Sequence, residues 1–242
     1  MYVLDELINL DFNGKVDFHQ DIPLFDFNAD IQNAKLYDLN LGHRFPDMNL
    51  TTHLRCNFVG YKLDDIEGRI NIDSTRYIEN NKSYSLDKFA FATIKDTGLY
   101  KKILLSSDFA DGSINGNFLF SELMPAFSKV VNRYFTTEKN SQNQGLTQPV
   151  NQNLEFNITL LDTKDLTDLF IPKLYIQPNT SIIGSFYSKS DSFNLDVNSS
   201  EIRYQGIKLN GLAFSSTTLP KYFGIHVVTD KLVFKEPSQD DS

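Results

Sequence analysis

Gly112-Ser-Ile-Asn-Gly-Asn-Phe-Leu-Phe-Ser-Glu-Leu-Met-Pro-Ala-Phe-Ser-Lys-Val-Val-Asn-Arg-Tyr-Phe135 changes period partway along its length. Its first half alternates, with Ile114, Gly116, Phe118 and Phe120 on one side of an extended chain. From Ser121 the apolar residues Leu123, Phe127, Val130, Val131 and Tyr134 recur at helical spacing and draw a single stripe. The pattern predicts a strand that runs into an amphipathic helix over Ser121–Phe135. Ser121 caps that helix, or Pro125 takes its first position. Either start sets Glu122 near the positive end of the helix and Arg133 near the negative end. A helix of about four turns needs a surface to cover. The rest of the chain supplies one surface, the exposed end or edge of a sheet.

Working outward, almost everything else reads as strand. Phe25, Phe27, Ala29 and Ile31 oppose Asp26, Asn28 and Asp30. Leu50, Thr52, Leu54, Cys56 and Phe58 oppose Thr51, His53, Arg55 and Asn57, and Ile66, Gly68, Ile70 and Ile72 continue the style. Past the helix it restarts at Leu154, Phe156, Ile158 and Leu160, and again at Phe193, Leu195 and Val197. Such period-two patterning implies sheets with one dry face and one wet face. Turns are expected at Asn13-Gly14, Gly42-His43 and Gly60. The Gln- and Asn-rich stretch 136–153 reads as a polar loop or linker. Residues 162–170 form a short helix stopped before Pro172, and 236–242 are an acidic tail. The expected organisation is therefore a strand segment over 1–135 closed by helix 121–135, the loop over 136–153, a second strand segment over 154–235, and the tail.

A weak internal repeat joins the blocks. Phe27-Asn-Ala-Asp-Ile-Gln-Asn-Ala-Lys-Leu-Tyr37, Gly68-Arg-Ile-Asn-Ile-Asp-Ser-Thr-Arg-Tyr77 and Phe193-Asn-Leu-Asp-Val-Asn-Ser-Ser-Glu-Ile-Arg-Tyr204 each alternate, pass through small polar residues and end at Tyr. Strand units that cannot close alone stack on their neighbours, which favours an elongated, mostly antiparallel all-β architecture.

Composition removes several function classes. The net charge is −8, and no basic run exceeds Lys101-Lys102. Nucleic acid and anionic lipid surfaces both demand a clustered cationic face, so neither is an expected partner. The single cysteine, Cys56, excludes an internal disulfide and a cysteine zinc site, and its position among Leu50, Leu54 and Phe58 marks it as a small buried hydrophobe. No signal peptide and no membrane-length apolar run is legible. The sequence carries no nucleophile elbow, phosphate loop, dinucleotide fingerprint, zinc-protease motif or EF-hand. His19, His43, His53 and His226 are scattered. No catalytic constellation emerges, and no metal or cofactor is expected.

In this order, alternating strands, Gly112-x-x-x-Gly116-x-Phe118, the helix ending Arg133-Tyr-Phe135, a polar loop and Leu154-Glu-Phe-Asn-Ile-Thr-Leu160 resemble the TamB family of the AsmA-like superfamily. Leu166–Phe170, Ile182-Ile-Gly-Ser-Phe186, Phe193-Asn-Leu195 and Ile202-Arg-Tyr-Gln-Gly206 extend the resemblance over nearly the whole chain. The Asn-, Lys- and Asp-rich style is similar to the Bacteroidota branch. The resemblance implies a repeating β-groove, or β-taco, that carries phospholipid acyl chains between inner and outer membranes and supports outer-membrane protein assembly. It also implies a periplasmic location, an inner-membrane anchor outside this stretch, flanking repeats of a parent chain, and a TamA-like, BamA-type barrel partner met by a region not included here. On this reading the chain is an internal fragment.

Carried onto this sequence, the groove would be lined by Leu50, Leu54, Phe58, Ile66, Ile70, Ile72, Phe118, Phe156, Ile158, Phe193, Leu195 and Val197. Leu123, Phe127, Val130 and Tyr134 would form the apolar face of the helix, and Asp73-Ser74-Thr75 resembles the O-glycosylation signal of Bacteroidota periplasmic proteins, which would modify Ser74. A closed β-sandwich with a glycan- or protein-binding wet face, using Tyr37, Tyr77 and Tyr204, produces the same alternation. So does a scaffold that templates strands at its edges.

Overall fold

Residues whose side chains alternate between apolar and short polar types pair into antiparallel ladders along almost the entire chain. The structure, a computed structural model, describes residues 1–19, 21–96, 98–135, 151–219 and 222–234. Most of the polar loop read over 136–153, and the acidic tail, lie outside the described residues. So do the side chains of Val131 and Phe135.

The strands before the long helix are β1 (Tyr2–Leu4), β2 (Ile8–Asp17), β3 (Leu24–Lys35), β4 (Asn49–Val59), β5 (Glu67–Glu79), β6 (Lys82–Lys95), β7 (Tyr100–Ser107) and β8 (Ala110–Asn117). Helix α1 (Phe120–Phe135) follows, then β9 (Asn153–Leu160) and the short helix α2 (Lys164–Phe170). The remainder is β10 (Leu174–Ile176), β11 (Thr180–Tyr187), β12 (Ser192–Tyr204), β13 (Ile207–Leu219), β14 (Tyr222–Val228) and β15 (Lys231–Phe234). Hydrogen-bonded neighbours run in chain order from β1 to β9 and then through β11, β12, β13 and β14, with β10 on β12 and β15 on β13. The fold is all-β and mostly antiparallel, as the alternation implied.

Two compact units divide the chain. The first comprises Met1–Ile94, Leu104–Asp111 and Asp162–Pro172; the second comprises Lys95–Ile103, Gly112–Leu161 and Lys173–Ser242. In the first, β1 to β6 form a meander. The backbone at Ser85 donates to Asp165 at the start of α2 at 2.7 Å, which fixes that helix to β6. In the second, β9, β11, β12, β13 and β14 pair in turn beneath α1.

Two local expectations change. Asn13-Gly14 is no turn; both residues lie inside β2. Gly14 stands at φ +146° opposite Phe27, where a Cβ would come within 2.4 Å of the Phe27 Cα. Glycine is there so that two backbones can approach closely, and that requirement outweighs the hairpin signal of the dipeptide. Helix α1 starts at Phe120, with a tight first turn in which the Glu122 N–H donates to the Leu119 carbonyl at 3.1 Å. Pro125 thus falls inside the helix, where it cannot donate to the carbonyl four residues back. Glu122 and Arg133 occupy the first and last turns as expected.

Candidate functional site

Cross-strand register converts the apolar phase of each strand into rows that cross the sheet. In the first unit one row is Val16, Phe25, Phe58, Gly68 and Thr93; the next is Gly14, Phe27, Cys56, Ile70 and Phe91; the third is Phe12, Ala29, Leu54, Ile72 and Phe89. Phe25 stacks on Phe58 with centroids 4.7 Å apart, and Phe12 meets Phe27 at 5.0 Å. The next row holds a part-buried hydroxyl pair, Thr52 Oγ1 to Thr75 Oγ1 at 2.6 Å, between Ile31 and Leu86, beyond which Ala34, Leu50, Tyr77 and Tyr84 follow on the same face. The opposite phase is wet. There Asp30, His53, Asp73 and Lys88 lie side by side, and the Arg55 guanidinium donates to Asp73 at 2.6 Å.

The large side chains that line the apolar rows, Val16 apart, are neither fully buried nor open to solvent. Phe12, Phe25, Phe27, Leu54, Phe58, Ile70, Ile72, Phe89 and Phe91 are all only half-buried. The buried apolar residues of this unit are Ala29, Ala34, Met48, Cys56 and Ala110, with no aromatic among them. A closed core buries its large residues first, so this face is not a filled one. Burial does raise the pKa of the Cys56 thiol, as expected of a packed small hydrophobe.

The second unit repeats the pattern. Leu154, Phe186 and Phe193 form a row; Phe156, Gly184, Leu195, Ser216 and Ile225 a second; Ile158, Ile182, Val197, Phe214 and Val227 a third. The Phe156 ring spreads over Gly184, where a Cβ would meet it at 2.4 Å. A hydroxyl pair is again present, here buried, Thr180 Oγ1 to Ser199 Oγ at 2.7 Å. Here one row is covered. Phe127 of α1 packs on Phe186 and Phe193, and Tyr134 on Phe223 at 6.1 Å. Val130 and Ala126 of the helix are buried, and Leu123 is half-buried. The buried Gln152 pins the start of α1, its side-chain carbonyl accepting the Leu119 N–H at 2.8 Å. Arg133 pairs with Asp191 at the other end. The second and third rows keep large residues half-buried or exposed.

Of the residues singled out from sequence, Leu54, Phe58, Ile70 and Ile72 come together in the first unit, with Leu50 beyond the hydroxyl pair. Phe156, Ile158, Phe193, Leu195 and Val197 come together in the second. Ile66 sits in the turn before β5, half-buried. Phe118 does not join a row. It is 0% exposed, edge-on to Phe120 and 4.7 Å from the Lys101 ammonium, in a cation–π contact. Sequence reasoning missed Phe12, Phe89 and Phe91 as row members; the alternation Phe89-Ala-Phe-Ala-Thr93 is the signal that could have found them. Ser74 is exposed, at φ +52°, where β5 is irregular against β4. Within the first unit, Tyr37 lies in a connection while Tyr77 is tied by its hydroxyl to Glu79 at 2.7 Å.

Shallow depressions of about 410 Å³ beside Asp26, Arg55 and Arg69, and about 350 Å³ beside Asn115, Glu155 and Asp196, lie on the wet phases. Among the described residues no group of His, Cys, Asp or Glu is arranged to hold a metal, and no helix is long and apolar enough to cross a membrane. The chain matches no family model, no curated protein and no solved structure. What the apolar faces offer chemically is a dry surface without a charged anchor, suited to aliphatic chains.

Proposed function

We propose that the chain is a lipid-carrying stretch of a TamB-like envelope bridge, in which the apolar rows of each unit hold phospholipid acyl chains in transit between inner and outer membranes. The observation that carries this reading is the row pattern of the first unit. Large aliphatic and aromatic side chains align in register, yet among the described residues the buried apolar ones of this unit are Ala29, Ala34, Met48, Cys56 and Ala110, none of them a large side chain of the rows. Each methylene withdrawn from water contributes about 0.8 kcal/mol, so an unbroken apolar row is what a sliding acyl chain requires. Strands lie about 4.8 Å apart, so a row across five of them extends roughly 20 Å, comparable to one fatty-acyl tail. A periplasmic setting, flanking repeats of the same design, a barrel partner in the outer membrane and a contribution to outer-membrane protein assembly belong to this reading.

A closed sandwich would lay protein side chains against the same rows. Photo-crosslinkers at Ile72 and Leu195, on the apolar phase, and at Asn71 and Asn194, on the wet phase, separate the two in cells. Phospholipid adducts at Ile72 and Leu195 alone are expected. Adducts to protein at all four positions would reject lipid carriage.

A further inference from the structure

Both connections β2–β3 and β4–β5 emerge at one end of the first unit, because Asp17, Leu24, Val59 and Glu67 form a single cross-strand row. The Gly60 N–H donates to the Pro23 carbonyl at 3.0 Å and ties the two connections together. The second is itself an ordered turn, its Lys62 carbonyl accepting the Asp65 and Ile66 N–H groups at 2.8 and 3.1 Å. From this end project Phe18, Ile22, Tyr61 and Leu63, exposed by 68%, 52%, 63% and 64%. Four large apolar side chains fixed in the open at one edge mark a contact surface.

The opposite end is built differently. There the connection between β3 and β4 folds back on the unit, with Met48 buried and Leu36, Leu39 and Phe45 half-buried. Asp47 accepts the Asn80 and Asn81 N–H groups at 2.9 and 2.6 Å, and Arg44 pairs with Glu79 at 3.0 Å. This connection exposes Tyr37 and Leu41 as well, but its polar contacts tie it back to the unit, and among the described residues no stack of rings leads from it to the rows.

We infer that Phe18, Ile22, Tyr61 and Leu63 form a membrane-contact surface that enters the interfacial layer of a zwitterionic phospholipid bilayer. The inference rests on the acyl-chain reading of the rows and adds to it the side from which lipid is exchanged. Two observations favour a bilayer over a protein partner. First, the surface is continuous with the rows: the Phe18 ring meets Phe25 edge-on at 5.8 Å, and Phe25 stacks on Phe58. A tail leaving a bilayer over Phe18 therefore stays in apolar contact until it reaches the face. Second, the tip pairs an amphipathic ring with a long cation. Lys62 Nζ sits 5.3 Å from the centroid of Tyr61, a combination suited to the headgroup level, where the ring is half-immersed and the ammonium stays wet. With a net charge of −8, attraction to anionic headgroups plays no part.

The chain contains no Trp, so each introduced Trp is a lone reporter. Phe18→Trp, Tyr61→Trp and, at the laced end, Leu41→Trp replace exposed side chains. Each purified variant is mixed with vesicles of brominated phosphatidylcholine. Emission from Phe18→Trp and Tyr61→Trp is expected to shift to the blue and lose most of its intensity, while Leu41→Trp stays unchanged. Unquenched emission at positions 18 and 61 overturns the inference, even where Ile72 yields lipid adducts. So does equal quenching at all three, or a blue shift that grows with protein concentration in the absence of vesicles, the signature of a second copy covering the surface.

Discussion

Phe127 of α1 stands edge-on to Phe193 of β12, ring centroids 5.0 Å apart, and reaches Phe186 of β11 at 6.2 Å. The helix is held on the sheet by aromatic contact, not by its ends alone. Phe127 is half-buried, and a carboxylate in its place would lose both ring contacts and part of its hydration, so Phe127→Asp is predicted to cost about 2–3 kcal/mol. Met124, 69% exposed on the outer face of the same helix, serves as control, and Met124→Asp should be near neutral. Urea unfolding of the two variants decides the matter. Equal midpoints would mean that α1 does not lie on the rows.

Close backbone approach yields the second prediction. Gly68 sits at φ +134° opposite Phe58, and a Cβ there would meet the Asn57 carbonyl oxygen at 2.2 Å. Gly68→Ala must distort β4 or β5 and should lower stability by about 2 kcal/mol or more. At Gly224 the nearest atom to a Cβ is the Thr217 carbonyl oxygen at 3.5 Å, an ordinary contact. Gly224→Ala is expected within about 1 kcal/mol of the parent. A harmless Gly68→Ala would show that the two strands do not cross so closely.

A third prediction concerns alkaline pH. Desolvation raises the Tyr77 hydroxyl from its ordinary 10.0 to about 12, reinforced by its hydrogen bond to Glu79. The folded chain therefore keeps this proton where the unfolded chain has lost it, so stability falls as pH climbs between 10.0 and about 12. Tyr77→Phe removes that part of the slope. Spectrophotometric titration should show a late-ionising tyrosine in the parent that the variant lacks. Identical titration curves would place Tyr77 in water.

Alternation made the strands and their phases legible, because a half-wet sheet forces period two onto the residues themselves. The long helix was legible for the same reason, through its change of period to Leu123, Phe127, Val130 and Tyr134. Asn13-Gly14 was misread because the sequence cannot tell a glycine that turns the chain from one that lets Phe27 approach. Phe118 was misplaced among the lining residues because phase alone does not reveal that its strand ends at Asn117, one residue earlier. The joining of Leu54 to Ile72 and of Phe156 to Leu195 needed pairing partners and register, which arise from contacts between distant segments. That the rows stay half-open depends on what does not cover them, and no single strand encodes it.

The rows make the fourth prediction. Ile72 lies between Leu54 and Phe89 in register and is only half-buried, whereas Phe186 is buried under α1. An Asp at position 72 keeps part of its hydration, so Ile72→Asp should forfeit about 1 kcal/mol, roughly the apolar burial lost. Phe186→Asp strands a charge in a packed site and should cost several times as much, about 3–5 kcal/mol. Lipid should respond in the opposite order to stability. A carboxylate at Ile72 interrupts the dry row at its centre, and phospholipid retained through purification, read by native mass spectrometry, is expected to drop sharply although the variant unfolds cooperatively. If Ile72→Asp is as damaging as Phe186→Asp, the face is packed shut against protein. If it folds and still retains lipid at the parent level, the rows of the first unit are not where acyl chains lie.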